Sequence, residues 1–158
     1  MRAFARPFRR RWFADLKAEA LAWWVSTASA QTLQWVMRSR LRGLLLWQIF
    51  RTIRQRAQPD MRLDAVVEFR ITGRRDGGTD RCQLILADGR CRTSRRGEHK
   101  AALTLELSPL AFLQLVGGVT SAQRLMITRR LKLRGDLMLA LALPTALRIP
   151  RRRPRPLK

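Results

Sequence analysis

At 158 residues, 46% of them hydrophobic, the chain is long enough for one buried core and too short for two stable ones, and its apolar content excludes disorder over most of its length. Its 33 Lys and Arg against 11 Asp and Glu give a formal net charge of +22, a surplus that points to lipid headgroups, nucleic acid or acidic proteins as neighbours. Only Lys17, Lys100, Lys132 and Lys158 are lysines, so the excess is almost all arginine.

Residues 1–58 hold 12 basic and 2 acidic residues, 59–150 hold 16 and 9, and 151–158 hold 5 and none. The two ends are therefore the most basic per residue, and an anionic surface would be met there. Pro7 suits a first helical turn and no other proline precedes Pro59, which predicts helix over residues 7–25 and again over 31–56. The first helix belongs to a basic arm over residues 1–30, with Phe4, Phe8, Trp12, Trp23 and Trp24 set among Arg2, Arg6, Arg9, Arg10 and Arg11. That makeup suits an interfacial helix on anionic lipid, and equally an arm whose aromatics dock on the domain. Residues 20–37 carry no formal charge, but Ser26, Thr27, Ser29, Gln31, Thr32 and Gln34 make them too polar to span a bilayer. Asp15, Lys17 and Glu19 interrupt the place where an export signal would begin its apolar segment. The second helix carries Leu33, Met37, Leu41, Leu44, Leu45, Ile49, Phe50 and Ile53 with Arg38, Arg42, Arg51 and Arg54 interleaved, and is expected to pack on the core.

From Leu63 the periodicity changes to two. Val67, Phe69 and Ile71 alternate with Glu68 and Arg70; Cys82, Leu84 and Leu86 follow; then Leu103, Leu105 and Leu107 alternate with Thr104 and Glu106. These are strands with one buried face. Asp88-Gly89 is a two-residue hairpin signal that sets Ala87 opposite Arg90, Leu86 opposite Cys91 and Cys82 opposite Arg95. Cys82 and Cys91 then sit at unpaired positions and are expected as reduced thiols. Ser108 caps a helix with Pro109 in its first turn, ahead of Leu110, Phe112, Leu113, Leu115 and Val116, and Gly117-Gly118 ends it. A short helix over 120–125 leads to renewed alternation at Ile127, Arg129, Leu131 and Leu133, which places an arginine at an inward strand position. Gly135-Asp136 opens a last helix over 137–143, apolar at every residue and limited by Pro144. The tail 151–158 is arginine- and proline-rich and is expected to be extended and disordered.

Catalytic and metal signals are missing. His99 is the single histidine and lies in a charged turn between Glu98 and Lys100, and no GxGxxG, GxxxxGK[ST] or paired-cysteine motif occurs. The expectation is a protein that is not an enzyme and needs no cofactor and no metal.

The run Leu131-Lys132-Leu133-Arg134-Gly135-Asp136-Leu137-Met138-Leu139-Ala140-Leu141-Ala142-Leu143 is similar to the closing segment of the sterol carrier protein type 2 lipid-binding domain. The agreement extends back through Ala101-Ala102-Leu103-Thr104-Leu105-Glu106-Leu107-Ser108, Phe112-Leu113 and Gly117-Gly118 to Cys82-Gln83-Leu84-Ile85-Leu86-Ala87-Asp88-Gly89. The resemblance covers roughly residues 31–148. It implies an α+β fold, expected here as a mainly antiparallel five-stranded sheet covered by helices and enclosing an apolar tunnel, with residues 31–150 as the lipid-binding domain. One departure stands out: the family usually has glycine six residues before the turn glycine, where this chain has Arg129.

With that resemblance, Phe112, Leu115 and Val116 are expected to face Leu137, Met138 and Leu141 across a cavity floored by Val67, Phe69, Leu84, Leu86, Leu103, Leu105, Leu131 and Leu133. Met126 and Met138 suit a ligand of variable shape because the thioether chain is flexible. Without the resemblance, the all-apolar helix reads first as a central helix buried on all sides. Arg129, if inward, pairs an anionic headgroup or snorkels to water. The expected function is non-enzymatic binding and transfer or presentation of a sterol, fatty acyl or isoprenoid/quinone-like lipid by a cytoplasmic, peripherally membrane-bound protein. Its basic ends, with Phe4, Phe8, Arg9, Arg10, Arg11, Trp12, Trp23 and Trp24, would contact anionic membrane, and lipid- or quinone-metabolising enzymes are the expected protein partners. The alternatives are a basic nucleic-acid binder, or an accessory subunit of a lipid- or quinone-biosynthesis complex.

Overall fold

Alternation of apolar and polar side chains builds a five-stranded sheet from β1 (Ala65–Ile71), β2 (Asp80–Ala87), β3 (Arg90–Ser94), β4 (Leu103–Leu107) and β5 (Leu131–Gly135), in the order β3-β2-β1-β4-β5. The computed structural model describes residues 27–58 and 62–148; the predicted helix over 7–25, the arm residues Phe4 through Trp24 and the tail 151–158 lie outside the described residues. Among the described residues the helices are α1 (Ala30–Arg38), α2 (Arg42–Arg56), α3 (Pro109–Val116), α4 (Ala122–Ile127) and α5 (Leu137–Ala146).

The sheet is mixed rather than purely antiparallel. Its three outer pairings are antiparallel, but β1 and β4 at its centre run parallel, with Val67 opposite Leu103 and Ile71 opposite Leu107. The reason lies in the 95–102 connection, which leaves edge strand β3 and returns over the outer face of the sheet to start β4 beside β1. Buried Gln83 pins it there: its Nε2 donates to the His99 carbonyl (2.8 Å) and its Oε1 accepts from the His99 N–H (3.2 Å). The Ala102 N–H then donates to the Val66 carbonyl at 2.8 Å. The same Gln83 amide donates to Glu68 Oε2 at 3.1 Å, and Arg70 Nε donates to Glu68 Oε1. Burial raises the Glu68 carboxyl, but the hydrogen bonds from Arg70 and Gln83, with the charges of Arg70 and Arg81, hold it below the usual carboxylate range.

The hairpin expected at Asp88-Gly89 forms in the predicted register, with Ala87 opposite Arg90 and Leu86 opposite Cys91. Both turn residues have positive φ, 51° and 66°, which is why Asp and Gly occupy it.

The predicted helix over 31–56 is two helices. Ser39 leaves the helical conformation; its Oγ donates to the Val36 carbonyl (2.7 Å) and accepts from the Leu41 N–H (3.2 Å), giving the backbone an alternative to the helical ladder. Breaking there turns Arg42 inward. Its guanidinium donates to Asp80 (2.6 Å) and to the carbonyls of Ile71 (3.0 Å), Thr72 (2.7 Å), Gly73 (2.8 Å) and Met37 (3.4 Å), tying α1, α2 and the end of β1 into one knot. α2 then lays Leu46, Ile49, Phe50 and Ile53 on the sheet, where the Phe50, Phe69 and Phe112 rings meet at centroid distances of 5.4–6.0 Å.

Candidate lipid-binding site

The apolar face of the sheet is built by strand alternation alone. Val67, Leu84, Leu86 and Leu103 are fully buried, Phe69, Leu105 and Leu131 nearly so, and Leu133 is half-buried near the edge. α3 covers this face. Ser108 caps it by accepting from the Ala111 N–H at 3.3 Å, Pro109 opens it as predicted, and Phe112 and Leu115 are buried while Val116 is half-buried. These residues come together as one core.

The far wall differs from the expectation. α5 is held at its start by Asp136, whose Oδ1 accepts from the Met138 and Leu139 N–H groups (2.8 and 3.1 Å). Gly135 before it has φ +111°, and a Cβ there would run into the Ala102 carbonyl oxygen, so only glycine closes β5 against β4 and turns into the helix. In that setting α5 directs Leu139 and Leu143 inward and leaves Leu137, Met138 and Leu141 exposed at 53%, 74% and 52%. Those three therefore do not face Phe112 across a cavity; Phe112 meets Phe50 and Phe69 instead. Phe50, Leu139 and Leu143 are the residues that sequence reasoning left out. Phe50 was on view as an apolar step of the second helix, but an all-apolar α5 has no polar side to show which way it faces. The helix also runs through Pro144 to Ala146. In the last turn proline removes a single N–H, and the Leu147 N–H to Leu143 carbonyl bond (2.9 Å) holds the end.

Arg129 is not an inward strand residue. α4 continues to Ile127, so β5 begins only at Leu131, and Arg129 lies exposed in the turn between them with φ 57°. The Arg130 N–H donates to the Leu125 carbonyl (2.8 Å) and the Arg129 N–H to the Met126 carbonyl (3.0 Å), the paired bonds that end a helix on a left-handed residue, the usual place of a glycine. Met126 is exposed at the end of α4 rather than lining the sheet.

Both thiols are held in the protonated form. Burial pushes Cys82 up to about 12 and Cys91 up to about 11, and both are free cysteines. His99 is exposed and is bonded to Gln83 through its backbone. Among the described residues no group of three or more His, Cys, Asp and Glu side chains is placed to hold a metal ion, and no helix is long and apolar enough to cross a membrane.

Solved structures place this arrangement among known ones. Sterol carrier protein 2 from Yarrowia lipolytica, in its apo form, is similar at 34% identity over 53% of this chain and 66% of its own, with a TM-score of 0.45. Sterol carrier protein 2-like 2 from Aedes aegypti is similar at 16% identity over 66% of this chain and 97% of its own, with a TM-score of 0.51. The inverting sec-alkylsulfatase Pisa1 from Pseudomonas sp. shares the fold at 17% identity over 72% of this chain but only 17% of its own, with a TM-score of 0.54. No curated protein matches the chain. The profile of the SCP-2 sterol transfer family matches residues 48–148. That stretch runs from within α2 to just past the end of α5 and takes in every strand of the sheet, and over it the chain belongs to the SCP-2 sterol transfer family.

Proposed function

We propose that the protein binds a lipid with a long apolar body, a sterol, fatty acyl or isoprenoid/quinone-like molecule, between α5 and the apolar face of the sheet, and carries or presents it unchanged. Family membership supports lipid binding and transfer in general. The observation that carries the finer reading is the surplus of apolar surface on α5. A surface helix needs an apolar stripe on one side only, and Leu139 and Leu143 already supply it, yet Leu137, Met138 and Leu141 are apolar too and stand uncovered. In this reading α5 is the movable cover. Apart from the packing of Leu139 and Leu143, it is tied at its ends, by the Asp136 N–H to the Ala102 carbonyl (3.0 Å) and by the Gln58 N–H to the Ala146 carbonyl (2.9 Å), and the guest enters beneath it against Phe112, Leu115, Leu105 and Leu133. Carriage without chemical change is supported by protonated thiols and a lone exposed histidine. The basic arm, with Phe4, Phe8, Arg9, Arg10, Arg11, Trp12, Trp23 and Trp24, delivers the protein to anionic membrane, and lipid- or quinone-metabolising enzymes are its partners.

The test is native mass spectrometry of freshly purified protein, followed by extraction of what is bound and titration with fluorescent fatty acids of increasing length. Affinity should climb by about 0.8 kcal/mol per added CH₂ and persist at high salt. Absence of any bound lipid together with no uptake would refute the reading. A nucleic-acid reading draws on the outer sheet face, where Arg81, Arg90, Arg92, Lys132 and Arg134 are exposed. That binding should collapse between low and high salt.

A further inference from the structure

α2, α3 and α5 all send side chains into the core on one face of the sheet. The opposite face carries the outward residues of the strands, and its charges are lopsided: Arg70, Arg81, Arg90, Arg92, Lys132 and Arg134 against Glu68 and Glu106. Both carboxylates are engaged, Glu68 by Arg70 and Gln83, and Glu106 by Lys132 at 3.2 Å. The guanidinium groups of Arg90, Arg92 and Arg134 are exposed and make no ion pair among the described residues.

The pairing register sharpens the excess. Arg70 stands directly opposite Arg81 across β1 and β2, a like-charge cross-strand pair that weakens a sheet. Arg90 and Arg92 follow each other along one edge strand, Lys132 and Arg134 along the other, and the four strand spacings between those edges amount to about 19 Å. Between them lie Val66, opposite Ile85, and Ala87, all half-buried. Cations on edge strands discourage stray pairing between sheets, but Arg70 and Arg81 belong to inner strands and serve no such purpose. An apolar middle inside a rim of arginine is the anatomy of a protein interface whose partner carries the opposite sign.

Other anionic partners fit this face less well. Among the described residues no outward strand position holds an aromatic ring, so a nucleic acid finds no platform for its bases. Glu106, half-buried near the centre, also repels a phosphate backbone laid across it. A bilayer needs long apolar side chains that stand free, and Val66 and Ile85 are half sunk in the sheet. A folded protein accommodates Glu106 by offering it a hydroxyl or a lysine.

We infer that the outer face of the sheet is a docking surface for an acidic protein, which meets Arg81, Arg92 and Arg134 with aspartates and glutamates. A partner there leaves α5 and the opposite face uncovered. The inference does not depend on the identity, or the existence, of a lipid guest.

The experiment titrates the isotope-labelled full chain with poly-L-glutamate at an ionic strength of about 0.15 M and follows the backbone amide shifts by NMR. Binding should saturate, with the shifts concentrated on β2, β3 and β5. Arg81→Glu/Arg92→Glu/Arg134→Glu should lose at least tenfold in affinity. Arg38→Glu/Arg40→Glu/Arg124→Glu changes the net charge equally at exposed positions in and beside α1 and α4, and should stay within about twofold of wild type. Arg81→Gln/Arg92→Gln/Arg134→Gln adds no acid to the sheet; it should keep the wild-type melting temperature and still lose at least threefold. Equal losses in the face and control variants, or shifts confined to other regions, overturn the inference. So does a duplex DNA that binds this face more tightly than polyglutamate, charge for charge, and loses that binding in the face variants.

Discussion

Replacing Arg129 with glycine should stabilise the protein. Arg129 sits at φ 57° as the residue that ends α4, and a left-handed backbone costs a side chain with a Cβ about 1–2 kcal/mol. Glycine removes that cost but loses about 0.5–1 kcal/mol more chain entropy on folding, which leaves a net gain of about 1 kcal/mol. The Arg129 side chain is exposed, so little packing is lost. With a urea m-value of about 2 kcal/mol/M, the midpoint should rise by about 0.5 M. Arg129→Ala is the control: it keeps the Cβ and the strained φ, and its midpoint should stay at the wild-type value. An inward strand position gives the opposite result, because glycine there would weaken the strand and leave a hole in the core. A midpoint that falls in Arg129→Gly, or an equal rise in Arg129→Ala, would refute the reasoning.

Four other outcomes are expected. Arg42→Ala strips the donors from four carbonyls and leaves Asp80 only its longer ion pair with Arg74 (3.9 Å); it should cost about 3 kcal/mol in urea unfolding, and Arg42→Lys, which keeps charge without the fork, should recover only part of that. Gly135→Ala must fit a Cβ against the Ala102 carbonyl at φ +111° and should cost about 3 kcal/mol or more, read as a fallen melting temperature. Cys91, with its thiol pushed up to about 11, should react with a disulfide reagent at pH 8 on the order of a hundredfold slower than free cysteine, and a rate like that of free cysteine would show the thiol to be open to water. Glu68 is held below its ordinary value in the folded state, so its contribution is complete above that value and is lost as pH falls through the folded one; Glu68→Gln should flatten the acid side of the stability profile, and an unchanged slope would contradict the assignment.

What could be read from the chain divides along physical lines. Strands β1, β2 and β4, the Asp88-Gly89 turn and the Ser108 cap follow from local rules: period-two burial, a turn that needs positive φ at two residues, and a hydroxyl before a proline. Gly135-Asp136 was legible as a motif, and its cause became plain only when Ala102 was seen against it. The misread features each depend on something distant or on a missing contrast. The break at Ser39 begins with that residue's own hydroxyl and is held by Arg42 reaching Asp80, 38 positions further along. The turn at Arg129 hides behind an apparent alternation, because exposed Ile127 happens to be apolar. The parallel centre depends on a side chain, Gln83, clamping a loop that its own strand does not touch in sequence.

That parallel centre also sets an order of events during folding. β1 cannot find β4 by a simple turn: 31 residues lie between Ile71 and Leu103, the 15 of the β2–β3 hairpin among them, and loop closure over such a span is slow. The β2–β3 hairpin, with its tight reversal, can zip first and carry Gln83 into position to catch the returning strand. A chain shortened before Leu103 would then leave one flank of β1 bare, an unpaired edge where the middle of the five-stranded sheet should be and a ready seed for aggregation.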